Sequence, residues 1–287
     1  MRGVYVSTGA FTSNDLVDLL RQADELGYRH LELSSGVAFR KDLRDVIEAH
    51  RDRFEFMVHN YFPPPEPPFV LNLASTDPAV RERSIEHCRS AMLLAADLGS
   101  TVYSVHGGFM VQPQVSDLGN PFSLAGAAPR DQGLALFRDS VQRLLSLAPG
   151  IGVRLLIENN VLAPFNAPDG RNAALLMVEA AEMADFARSL DSPWFGYLID
   201  TGHLKVSART LGFDADDFLQ EVSPWIAGFH VSENDGTADT NHPFDEHAWF
   251  LPWLGRLRDR FVVIEAYRLT PGQLHLCWNA VQQARTA

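Results

Sequence analysis

Apolar residues in this chain fall into short dense runs separated by longer stretches of helical period. The runs 3–7, 30–34, 54–59, 101–105, 154–157, 195–199, 226–229 and 261–264 have the length and composition of buried strands. Between them, helical spacing is read over 14–26, where Leu16, Leu19, Leu20 and Ala23 share a face, and over 43–50, 132–147, 173–190, 214–222, 251–258 and 271–285. A further long helix is expected to start at Pro78 under an Asp77 cap, run to Leu98 and stop at Gly99. Strict alternation of this kind predicts parallel β-α units, and eight of them predict one closed (β/α)8 barrel of class α/β. No glycine-rich dinucleotide fingerprint follows the first strand, which weakens the alternative of an open doubly wound sheet. No linker divides the chain, so residues 1–287 are read as a single domain.

The polar residues that interrupt this pattern sit where strands end. His59, His106, Glu158, Asp200 with His203, His230 and Glu265 stand at successive exits, and in a barrel all such exits converge on one face. Any one of them has an adequate structural explanation as a helix cap or an ion-pair partner. Together they bring several carboxylates into one partly desolvated space, where they repel unless protonated or neutralised by a cation. Three carboxylates and one imidazole, from Glu158, Asp200, His230 and Glu265, make a mostly hard-oxygen set. That set suits one divalent ion, Mn²⁺ first, with Mg²⁺, Co²⁺, Fe²⁺ or Zn²⁺ also compatible.

Net charge narrows the partners. With 24 Lys+Arg against 36 Asp+Glu, the formal charge of −12 disfavours nucleic acid and anionic membranes. Two cysteines, Cys88 and Cys277, argue against a disulfide framework and point to a reducing compartment. No secretory leader or membrane-length apolar run is read, so a cytoplasmic protein is expected. The proline-rich stretch 63–68 cannot continue a regular element and reads as a loop reaching over the strand ends.

The segments Ile157-Glu158-Asn159, Leu198-Ile199-Asp200-Thr201-Gly202-His203, Phe229-His230-Val231-Ser232-Glu233 and Val263-Ile264-Glu265 resemble the successive motifs of the xylose-isomerase-like TIM-barrel superfamily. That group contains ketose 3-epimerases, sugar and sugar-phosphate isomerases, cyclitol dehydratases and apurinic endonucleases related to endonuclease IV. The resemblance implies a single metal held by Glu158, Asp200, His230 and Glu265, with Glu158 and Glu265 also the acid/base pair and His203 on the substrate. The segments around His59 and His106 are similar to the endonuclease branch, which binds three zinc ions through a further Asp-x-His. Here Asp239-Thr240-Asn241 carries asparagine at the ligand position, which puts the third ion in doubt. A non-catalytic carbohydrate-binding barrel is disfavoured because all four presumed ligands remain.

The expected activity is therefore a metal-dependent isomerase or epimerase of a sugar or sugar derivative through an enediolate, with a dehydratase or lyase on a cyclitol or keto compound as the alternative. One carboxylate removes the proton beside the ketone and the other returns one. His59, His106 and His203 are assigned to the substrate. Lys205 and Arg268, just past Asp200 and Glu265, are candidates for a substrate phosphate or carboxylate. Tyr61, Phe62, Trp249 and Tyr267 are candidates for an apolar wall. Barrels of this group often pair, which leaves a homodimer open.

Overall fold

The computed structural model describes residues 3–34 and 36–286. Its eight strands are β1 (Val4–Ser7), β2 (His30–Leu33), β3 (Glu55–His59), β4 (Val102–His106), β5 (Arg154–Glu158), β6 (Phe195–Asp200), β7 (Ile226–Val231) and β8 (Phe261–Ile264). Each pairs in parallel with the next and β8 pairs with β1, closing a barrel in strict chain order. Around it run α1 (Leu16–Leu26), α2 (Leu43–Glu48), α3 (Pro78–Asp97), α4 (Arg130–Leu145), α5 (Ala148–Ile151), α6 (Ala180–Leu190), α7 (Thr201–Leu211), α8 (Ala215–Val222), α9 (Leu251–Arg256) and α10 (Pro271–Thr286). Among the described residues no helix is long and apolar enough to cross a membrane.

Alternation along each strand splits the apolar residues into two layers. Tyr5, Met57, Leu156, Leu198, Phe261 and Val263 point inward and plug the lower barrel. The larger layer, including Leu31, Val58, Tyr103, Ile157, Ile199 and Phe229, packs outward under the helices. Inside, Gly228 makes room for Phe261: a Cβ there would lie 2.3 Å from the phenyl ring. This plug makes the barrel a floor, and the inward residues at the strand tops stand on it.

Local signals held where a cap was legible. Asp77 accepts the amide of Ala79 with Pro78 in the first helical position, and Gly99 adopts φ 75° after α3. Both cysteines are free and buried, Cys88 in α3 and Cys277 in α10. Two elements differ from expectation. The apolar stretch 173–178 is not the start of a helix: α6 begins only at Ala180. Met177 has φ 58°, Leu175 bridges to Phe109, and Leu175 packs in a small satellite cluster with Val111 and Leu162. Burial in that cluster, not one helical face, explains the run of apolar side chains. Conversely, α7 starts at Thr201 directly from the last residue of β6, with no turn between them to announce it.

Candidate metal centre and substrate cavity

Inward-facing positions at the strand tops bring the predicted residues together. Glu158, Asp200, His230 and Glu265 are all buried, and one donor atom from each lies within 4.8 Å of the others. Backbone geometry aims them individually. Asp200 ends β6 and caps α7: its Oδ1 accepts the His203 amide at 2.7 Å, and Asn159 brackets its backbone N–H and C=O, at 2.8 and 3.1 Å. Asp200 Oδ2 is left buried with no hydrogen-bond partner, as are both carboxylate oxygens of Glu158 and Nδ1 of His230. His230 Nδ1 sits 3.5 Å from Glu158 Oε1 and 2.5 Å from Glu265 Oε2. Buried polar atoms are ordinarily satisfied, so four orphaned donor atoms converging on one point fit a divalent cation.

Electrostatics within the cluster agree. Burial pushes the Glu158 carboxyl up, but His106, His230 and His59 outweigh it and hold the group well below the usual carboxylate range. Burial opposes the charged form of Glu265 too, and His230 overrides it, lowering that carboxyl. Asp200 goes the other way, raised by burial that the neighbouring His203 only partly offsets. His230 is held well above its ordinary value because Glu265, Glu32 and Glu158 surround it despite burial. A divalent cation held there would take the place of that proton, since ligation requires the neutral imidazole.

Glu32 is the residue that reading strand exits missed. It lies within β2, fully buried, and its Oε2 is 2.9 Å from His230 Nε2. This bond fixes the ring so that Nδ1 faces the carboxylates. Burial raises the Glu32 carboxyl to about 7 against the pull of His230. The available signal was an acid at an inward position between Leu31 and Leu33.

His59 and His106 converge on the same carboxylate. His59 Nε2 is 3.3 Å and His106 Nε2 3.5 Å from Glu158 Oε2, and the three form a second potential ligand set. His59 Nδ1 is engaged with Ser104 Oγ at 2.9 Å, and burial lowers its pKa to about 3, so the ring is neutral. His59 thus stands beside Glu158, whereas His106 also lines the adjoining cavity. His203 places Nδ1 at 2.8 Å from the Asn159 carbonyl and Nε2 at 3.2 Å from Asp239. Asn241 donates to the same Asp239 oxygen at 3.0 Å.

The cavity beside the cluster has a volume of about 340 Å³, and His106, His203 and Asp239 form its polar end. Tyr61 lines it, while Phe62 is buried in the outer core and Tyr267 donates to Glu265 Oε1 at 3.2 Å. Neither Lys205 nor Arg268 reaches it: Lys205 is paired with Glu233 at 2.5 Å, and Arg268 is exposed with its backbone at φ 51°. A wider groove of about 700 Å³ beside α9 and α10, which Trp249 lines, holds none of the strand-end residues.

Residues 20–267 match the family described as xylose isomerase-like TIM barrel, and the chain belongs to that family. An uncharacterized protein of Methanocaldococcus jannaschii is 26% identical over 205 residues, covering 69% of this chain and 58% of that relative's length. Among solved structures, a D-tagatose 3-epimerase-like protein is 18% identical and superposes with a TM-score of 0.73, covering 100% of this chain and 99% of that one. The 3-keto-D-glucoside 4-epimerase from E. coli, in its apo form, is 13% identical with a TM-score of 0.65, covering 100% of both chains.

Proposed function

We propose that the protein is a divalent-metal-dependent isomerase or epimerase of a sugar or sugar derivative. The observation that carries this reading is the convergence of buried donor atoms from Glu158, Asp200, His230 and Glu265, with those of Glu158 and Asp200 Oδ2 left without a hydrogen-bond partner. Membership of the family and the likeness to a D-tagatose 3-epimerase-like protein and a 3-keto-D-glucoside 4-epimerase support the substrate class. Mn²⁺ is the ion that the hard-oxygen donor set suits best. Bound there, a divalent ion would supply Lewis-acid stabilisation of the oxygens of an enediolate.

The chain's own residues carry the remaining steps. Glu158, kept well below the usual carboxylate range beside His106, His230 and His59, is the group suited to take the proton beside the ketone. Glu265, oriented by the Tyr267 hydroxyl, returns one from the other side when it starts the cycle protonated, taking its proton from solvent between turnovers. His203, anchored through Nδ1 on the Asn159 carbonyl, presents its Nε2 edge towards the cavity, where Asp239 shares it. Inversion at the same carbon gives epimerisation, and return to the neighbouring carbon gives isomerisation. Expulsion of a β-hydroxyl would give the dehydratase alternative.

The test is proton exchange. Mn²⁺-loaded protein incubated in D₂O with D-tagatose or D-fructose should place deuterium next to the ketone, and Glu158→Gln and Glu265→Gln should each abolish it. Exchange that persists in both variants removes these carboxylates from proton transfer.

The His59–His106–Glu158 set favours a second reading, a two-metal hydrolase acting on a phosphoester. The charge of −12 opposes a nucleic-acid substrate. Two ions per chain together with nicking of plasmid at abasic sites would establish it.

A further inference from the structure

We propose that the substrate carries no phosphate and instead bears an apolar, ring-sized substituent at the end remote from the strand-end cluster: a neutral keto sugar or cyclitol derivative with an aromatic or bulky alkyl group. This rests on the sugar-epimerase reading and narrows it.

The cavity changes character along its length. Next to Glu158 it is polar, with His106, His203 and Asp239. Away from the cluster its walls are Tyr61, Phe69, Phe109 and Phe122, held by polar contacts behind them. The Phe69 amide donates to the Tyr61 hydroxyl at 2.5 Å, and the Phe122 amide donates to Asn166 Oδ1 at 3.0 Å. At the mouth stand Val115, Leu118 and Phe165, exposed by 47%, 48% and 45%. Large apolar side chains scattered singly on a surface are normal, but three around the mouth of one cavity mark a place where apolar ligand surface is covered.

Anion recognition is missing from the same surface. Among the described residues lining the cavity there is no Lys or Arg. Lys205 is engaged by Glu233, and the Arg83 guanidinium is spent on the Phe69 ring, 4.0 Å from its centroid, and on the Pro67 carbonyl. Besides His106 and His203 at the polar end, the charged residues that line it, Asp117 and Asp239, are carboxylates, and both His203 ring nitrogens are already engaged by the Asn159 carbonyl and Asp239. A phosphate brought to the apolar end would lose its hydration with no Lys or Arg to replace it. Asp117 accepts the Gln114 amide and Asp239 Oδ2 is shared by His203 and Asn241, while Asp239 Oδ1, buried without a partner, is left as an acceptor for a substrate hydroxyl.

The test measures binding by calorimetry on Mn²⁺-loaded full-length protein, with phenyl β-D-glucopyranoside, methyl β-D-glucopyranoside and glucose 6-phosphate as probes. Burying a phenyl ring against these walls should make the phenyl glycoside bind about tenfold tighter than the methyl one. Glucose 6-phosphate should bind more weakly than either. The double variant Leu118→Ser with Phe165→Ser, at exposed positions that carry no fold burden, should bring the phenyl-to-methyl ratio towards one. No measurable binding of the phenyl glycoside, equal binding of phenyl and methyl, or tightest binding by the phosphate overturns the inference. Deuterium exchange into ketoses reports separately: a phenyl preference without exchange sinks the epimerase reading alone, and exchange with a preference for phosphate sinks this inference alone.

Discussion

Removing Glu32 tests whether the centre depends on a residue that cannot reach the shared ion position except through His230. Its carboxylate and the His230 ring are both fully buried, and Oε2 lies 2.9 Å from Nε2 while the other ring nitrogen faces Glu265 and Glu158. Loss of such an orienting partner typically weakens metal affinity 10–100-fold, which is about 1.4–2.7 kcal/mol. Glu32→Gln retains an oxygen that accepts the Nε2 proton and loses only the charge, so it should fall near the tenfold end. Glu32→Ala leaves that N–H unpartnered in a buried space and should fall near the hundredfold end, with about 1–3 kcal/mol of folding stability lost as well. Competition for Mn²⁺ or Zn²⁺ against a chromophoric chelator measures the first quantity, and urea denaturation of the metal-free protein the second. If both variants bind metal within about twofold of wild type, the orienting role is refuted. A loss of a thousandfold or more would refute it differently: Glu32 also lies in a potential ligand set with His59 and His230, and would then be a ligand itself.

Three further outcomes are expected. Gly228→Ala places a methyl 2.3 Å from the Phe261 ring inside the barrel and should destabilise by about 1–3 kcal/mol or more in urea denaturation; an unchanged midpoint would show that the plug is loosely packed. Asn241→His supplies a third ligand beside His203 and Asp239, at a backbone φ of 48° that histidine tolerates better than most residues, and zinc-loaded variant should hold one more ion per chain than wild type by elemental analysis. Burial against Tyr61 and Phe69, with Arg83 nearby, lowers His87 from 6.5 to about 4. The unfolded chain therefore binds a proton that the folded one refuses across that interval, so stability falls as pH drops from 6.5 to about 4. His87→Gln should lose less stability than wild type over the same interval, and parallel pH profiles would contradict this.

The barrel was legible because eight strand-length apolar runs alternate with helical ones, and register then follows from closure. The candidate metal cluster was legible at strand exits, where a charged residue interrupts an apolar run: Glu158, Asp200, His230 and Glu265 all announce themselves so. Glu32 did not, because it precedes the exit of β2 and is flanked by leucines. His59 and His106 were found as residues but not as neighbours of Glu158, since which of several strand tops meet depends on stagger that spacing does not reveal. Lys205 shows the complementary limit. Its place after Asp200 suggested a ligand anion, yet one turn of α7 carries it to Glu233. The loop 173–178 imitated a helix because a buried loop and a buried helix are equally apolar.

Asp200 spends one oxygen on the first turn of α7 and keeps the other for the cluster. Occupancy at the barrel mouth and the pitch of a helix on its outer wall are thereby fastened to a single side chain. Hydrogen–deuterium exchange at the amide of His203 should slow when the ion arrives, making one backbone proton a reporter for an event it never touches.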